Sequence, residues 1–142
     1  MSTKIEDLVR QVKGLEDYEQ ASQALMEVVH LEPAMGGKLA LNLLRSTAGD
    51  VHLRAFAFSM LYRANRTVAY EYARENAGSC EAPVFLAMLG EVAEDIGLLN
   101  ESSELQQVIA DLRSAISHRT DSDTEVVKRG VHDFLAAHGN RD

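Results

Sequence analysis

Residues 50–64, Asp50-Val51-His52-Leu53-Arg54-Ala55-Phe56-Ala57-Phe58-Ser59-Met60-Leu61-Tyr62-Arg63-Ala64, contain neither Gly nor Pro. Wound as a helix of about four turns, the stretch is apolar around nearly its whole circumference. Only His52, Ser59 and Arg63 form a narrow polar stripe. A helix of this kind must be covered on most of its sides, so it is expected at the centre of a core. Phe56→Ala within it is expected to cost about 3–5 kcal/mol.

Outward from this segment the same periodicity recurs. Ala21, Ala24, Leu25 and Val28 trace one helix stripe, and Phe85, Met88, Leu89, Val92 and Ile96 a second. Further stripes run through Leu105, Val108, Ile109, Leu112 and Ile116, and through Val127, Val131, Phe134, Leu135 and His138. Apolar steps of three and four define amphipathic helices, and no series of alternating strands bounded by turn pairs occurs. The fold class is therefore all-α.

Stop and start residues divide the pattern. Asp17 with Gln20 reads as a capping box, Asp50 follows Gly49, Pro83 suits a first helical turn, and Gly97 and Gly139 suit positions just past helix ends. Helices are expected near 3–13, 17–31, 36–47, 50–64, 66–77, 83–96, 101–118 and 124–138. Two-helix units then begin near Asp17, Asp50 and Pro83, about 33 residues apart, in the range of helical repeats. The expectation is a short α-solenoid of about eight helices, with residues 1–142 as a single helical-repeat domain.

Composition supports that reading. The chain has 142 residues, 46% hydrophobic and 25% charged, enough for an apolar core without metal or disulfide staples. Cys80 is the single cysteine, which excludes a disulfide scaffold and a Cys-rich zinc site and suits a reducing cytoplasm. The first seven residues are already acidic and no signal-type apolar stretch follows them. No apolar run approaches the ~18 residues of a bilayer span, so no membrane partner is expected.

Net charge is −8, yet it is unevenly distributed. Residues 1–35 carry seven acids and three bases, residues 36–74 two acids and six bases, and residues 113–142 five of each. Residues 75–112 carry eight acids and no Lys or Arg: Glu75, Glu81, Glu91, Glu94, Asp95, Glu101, Glu104 and Asp111. Helical spacing sets Glu91, Glu94 and Asp95 opposite the Phe85 stripe, with Glu101, Glu104 and Asp111 at steps of three and seven on the next helix. Two adjacent helices would thus present one acidic face. Such a face is either a solvated surface or one that steers a basic partner. It argues against direct nucleic-acid binding, and no calcium-loop pattern accompanies it.

Catalytic patterns are missing. His30, His52, His118, His132 and His138 are scattered without metal-ligand spacing, so neither a metal nor another cofactor is expected. Gly36-Gly37-Lys38 lacks the first Gly and the following Ser or Thr of a phosphate loop and reads as a helix start. Cys80 has acids nearby in sequence, which would not activate a thiol. Tyr70 and Tyr72 flank Glu71 and point in different directions on a helix, so one of them is expected to be partly exposed. Tyr72 joins the candidate binding residues because exposed tyrosines beside acids suit protein interfaces, the commoner alternative being a half-buried core tyrosine.

The run from Leu43 to Ala57 resembles a HEAT-type helical repeat, through Leu43 and Leu44 at a helix end, Asp50 in the turn, Leu53 with Arg54, Ala57, and Leu61 beyond it. That resemblance implies an inter-helix polar contact of Asp50 with Arg54. The whole chain is also similar to the small, acidic, all-helical immunity proteins that bacteria encode beside toxins. The similarity lies in size, acidity, the absence of catalytic residues, and the run from Ala55 to Arg66 leading to Pro83-Val84-Phe85 and Glu94-Asp95. It implies a non-catalytic protein that binds a cognate toxin domain, for example a basic nuclease, with Glu75, Glu91, Glu94, Asp95, Glu101, Glu104, Asp111 and Tyr72 as the partner-binding residues. The other readings are a HEAT-like adaptor for another protein or peptide, and an enzyme whose pocket is visible only in three dimensions.

Overall fold

The computed structural model describes residues 3–14, 18–46, 50–95 and 103–138. They form helices α1 (Thr3–Gly14), α2 (Tyr18–Leu31), α3 (Pro33–Arg45), α4 (Val51–Ala64), α5 (Arg66–Asn76), α6 (Ala82–Ala93), α7 (Ser103–His118) and α8 (Lys128–His138). No strand occurs among the described residues, and the all-α, eight-helix expectation holds for them. The expected turn residues Asp17, Gly49, Gly97 and Gly139, together with Ile96 and Glu101, lie outside the described residues.

Local chemistry accounts for the helix ends. Asp50 caps α4 in extended backbone, its carboxylate accepting from the His52 N–H at 2.6 Å, which satisfies one of the donors a first turn leaves open. Pro83 lies in the first turn of α6, where its missing N–H costs nothing. Two starts differ from expectation. α3 begins at Pro33, with the Gly36 N–H already bonded to the Glu32 carbonyl at 2.8 Å, so Gly36 and Gly37 lie within the helix rather than at its start. α8 begins at Lys128 instead of residue 124. There the Thr124 hydroxyl donates to the Asp121 carbonyl at 2.7 Å and holds residues 121–127 as successive turns.

The chain divides into two compact units, Met1–Arg66 and Thr67–Asp142. In the first, α2 packs on α1, α3 and α4, and α3 packs on α4. The core joins Ala21, Ala24, Leu25 and Val28 of α2 to Leu39, Ala40, Leu43 and Leu44 of α3 and to Leu53, Ala57, Phe58 and Leu61 of α4. Gly36 permits the closest approach: a Cβ there would come within 2.6 Å of the Val29 Cα on α2. Backbone, unlike a flexible side-chain tip, cannot yield to such a group.

Phe56 corrects the sequence reading, because it is only half-buried, whereas Phe58 is fully buried. Phe56 stands seven residues from Arg63 and therefore on the same side of α4 as the polar stripe. Leu53, Ala57 and Leu61 define the inward face, which Phe58 extends.

In the second unit, α6 packs on α8 and touches α7. Phe85, Met88, Leu89 and Val92 are fully buried, as are Leu105 and Leu112 of α7 and Phe134 of α8. None of the described helices is long and apolar enough to cross a membrane.

Phe58→Ala is expected to lower unfolding free energy by about 3–5 kcal/mol and Phe56→Ala by clearly less, as read from urea unfolding at unchanged slope. Gly36→Ala, which on an open helix surface would stabilise, is expected instead to destabilise by about 1–3 kcal/mol through overpacking against α2. Equal or higher stability would show that α2 and α3 can separate without loss.

Candidate functional site

Burial of the apolar stripes dictates where the acids of the second unit go. With Phe85, Met88, Leu89 and Val92 turned inward, Glu91 on α6 and Asp95 just beyond it are half-buried, and Glu94 is exposed. On α7, Glu104 is exposed in the first turn and Asp111 is half-buried. Glu75 is exposed on α5, where Tyr70 is buried and Tyr72 half-buried, the division expected of that pair. The sites of Glu75, Glu91, Glu94, Asp95, Glu104, Asp111 and Tyr72 thus all belong to one unit.

These acids are not equivalent. Arg74 Nε donates to Asp111 at 2.8 Å and Gln107 adds a second donor at 3.2 Å. Asp111 is thereby neutralised from one residue outside the segment that lacks bases. Glu75, Glu91, Glu94 and Glu104 have no ion-pair partner among the described residues. The imbalance also follows the unit boundary. The first unit holds eight acids and eight bases, whereas the second holds fourteen acids and six bases and so carries the entire excess charge.

One polar cluster escaped sequence reasoning. Arg119, just past the end of α7, has a side chain only 6% exposed. Its Nε and Nη2 donate to the two Asp121 carboxylate oxygens, each at 2.9 Å, in the bidentate geometry that gives guanidinium its directional strength. Nη1 donates to the Ala77 carbonyl at 2.8 Å and lies 3.7 Å from Cys80 Sγ. The guanidinium also stacks 4.2 Å from the Phe85 ring centroid. One side chain therefore ties the end of α5, the first turn of α6 and the 119–127 turns together.

Cys80 has a cation beside it after all. Burial nevertheless raises the thiol pKa above its ordinary value, with Arg119 opposing that effect only in part. The hydrogen bond from Arg119 holds the Asp121 carboxyl below the usual carboxylate range, and the same bond raises Arg119 further. The cluster is built to hold a turn, and its thiol is poorly suited to act as a nucleophile. Arg119 and Ala77 are 42 positions apart, so no local motif announces the cluster.

The histidines are dispersed. His52, expected on the polar stripe of α4, is exposed, as is His132, and the His118 ring meets the Ser114 carbonyl at 2.8 Å. His138 is 2% exposed against Phe134, with Nε2 2.8 Å from the Val92 carbonyl. A carbonyl only accepts, so Nε2 carries the proton there. Among the described residues no group of three or more His, Cys, Asp or Glu side chains is arranged to hold a metal ion.

Fold and surface together define a two-unit, all-helical protein with its excess negative charge confined to one unit. No family model, no curated protein and no solved structure matches the chain.

Arg119→Lys is expected to cost about 1–3 kcal/mol, because an ammonium cannot reproduce the fork or the ring stacking. The Asp121 contribution is present above the unfolded carboxyl value of about 3.9 and is lost as pH falls through the lower folded value. Urea unfolding of the native chain and of Asp121→Asn should therefore differ at pH 7 and converge in strong acid. A difference independent of pH would separate Asp121 from this cluster.

Proposed function

We propose that this chain is a non-catalytic immunity protein that binds and neutralises a cognate bacterial toxin domain in the cytoplasm. In this reading its helices act as a short HEAT-like array, and the acidic surface of the second unit meets a basic domain such as a nuclease. The observation that carries the reading is the confinement of all excess negative charge to residues 67–142, with Glu75, Glu91, Glu94 and Glu104 lacking ion-pair partners among the described residues.

Such a charge distribution is costly to a folded unit and useful to a binder. Self-repulsion lowers stability, while a one-signed surface accelerates encounter with an opposite one and fixes its orientation. Inhibition by occlusion requires no catalytic group or cofactor in the inhibitor. It requires fast capture of a toxin that would otherwise reach its substrate.

The adaptor reading is favoured by a different observation, an open groove of about 690 Å³ in the first unit between α2 and α4. A protein that only occludes a toxin through its acidic unit has no evident need of that groove.

Affinity capture of the tagged full chain from its source cells, washed at low salt and at about 0.5 M salt, tests the principal reading. A stoichiometric basic toxin domain, weakened by the salt that screens surface charge, is the expected product. The variant carrying Glu91→Lys, Glu94→Lys and Glu104→Lys should then associate with that domain at least ~10-fold more slowly and with little salt dependence. Unchanged association would remove this surface from the interface. Absence of a toxin partner at either salt would overturn the immunity reading.

A further inference from the structure

The first unit contains a groove whose chemistry differs from that of the acidic unit. Gln23, Met26, Glu27, Val29 and His30 of α2 line one side and Met60 and Arg63 of α4 the other, around about 690 Å³. Met60 is buried and Val29 half-buried, giving an apolar base. Met26 is 43% exposed, a large apolar side chain presented to solvent next to that base.

The charges around the groove indicate what would complement it. Glu27 is drawn toward Lys4 on α1, with 3.9 Å between the charged atoms. Arg63 is exposed and has no carboxylate partner among the described residues, and His30 is exposed as well. Of the two formal charges lining the groove, Glu27 and Arg63, only Arg63 is therefore without a partner among the described residues, in a chain whose net charge is −8. Thioether side chains adapt to varied apolar shapes at low cost. A groove lined by two helices suits the apolar face of a third.

We infer that this groove binds an amphipathic helical segment of a partner protein, with one or two apolar side chains against Met26 and Met60 and an Asp or Glu within a turn of them paired to Arg63. The site lies within the first unit and does not depend on the identity of any toxin. Its energy comes from apolar burial and one directed ion pair, so binding is only weakly reduced by salt.

A displayed library of helical 16-residue peptides panned against the full chain tests the inference. Selected sequences should share apolar residues at helical spacing and a carboxylate within one turn. Binding of the best peptide should fall ~10-fold or more on Arg63→Glu and on Met26→Asp, both exposed positions whose variants keep the native circular dichroism. Panning against Arg63→Glu should replace the carboxylate by Lys or Arg. Recovery of no binding peptides, of peptides without the carboxylate, or of peptides indifferent to Arg63→Glu would overturn the proposal. Selection of short acidic peptides that bind an apolar-depleted Met26→Asp surface equally well would do the same.

Discussion

Like-charge repulsion is the constraint under which the second unit exists. Fourteen acids against six bases push outward on a segment with four helices among its described residues, and the opposing force is apolar burial. α6 contributes four side chains with no measurable exposure, Phe85, Met88, Leu89 and Val92, and α7 and α8 add Leu105, Leu112 and Phe134. Each such side chain removes on the order of 1.5–3 kcal/mol of unfavourable hydration, whereas each like-charged helix neighbour costs only a few tenths. Burial therefore dominates by a wide margin. The acids can be kept for another purpose because the core does not need them paired.

Two cations of that unit, Arg74 and Arg119, are placed where they resist opening rather than where they would neutralise most charge. Arg74 engages Asp111 on another helix, and Arg119 uses its donors on Asp121 and the Ala77 carbonyl while its face covers Phe85. Both link segments distant in sequence. A lysine at either position would supply equal charge without the planar fork. The consequence is a unit closed at its turns and still strongly negative on its exposed helix faces, including Glu94 and Glu104.

Helical stripes were legible in the sequence because burial obeys a short period: each of Ala21, Ala24, Leu25 and Val28, and each of Phe85, Met88, Leu89 and Val92, is buried. Asp50 and Pro83 were legible as helix starts because capping acts over two or three residues. α4 was less so. An almost uniformly apolar helix has a weak directional signal, and which of Phe56 and Phe58 points inward depends on neighbours that composition does not rank. Thr124 reads as the start of a helix in the sequence because a hydroxyl serves a turn and a helix cap by the same hydrogen-bonding chemistry. The Arg119 cluster was invisible for another reason, since its partners at positions 77, 80, 85 and 121 come together only after α5, α6 and α7 have formed. The acidic residues were legible as a population, whereas the neutralisation of Asp111 by Arg74 was not.

The two units offer surfaces governed by different physics. A broad charged surface acts at a distance of about a Debye length, roughly 8–10 Å at ordinary ionic strength, and chiefly affects how often and in what orientation a partner arrives. An apolar groove with a single rim cation acts only on contact, and chiefly affects how long a partner stays. Salt separates the two, because it suppresses the first and leaves the second nearly intact. A partner using only residues 67–142 would be captured quickly and lose its advantage in salt, whereas one held at Met26, Met60 and Arg63 would dissociate slowly at either ionic strength. The first unit is the more suitable of the two for such a contact, since its own eight acids and eight bases balance and leave no excess of carboxylates within it.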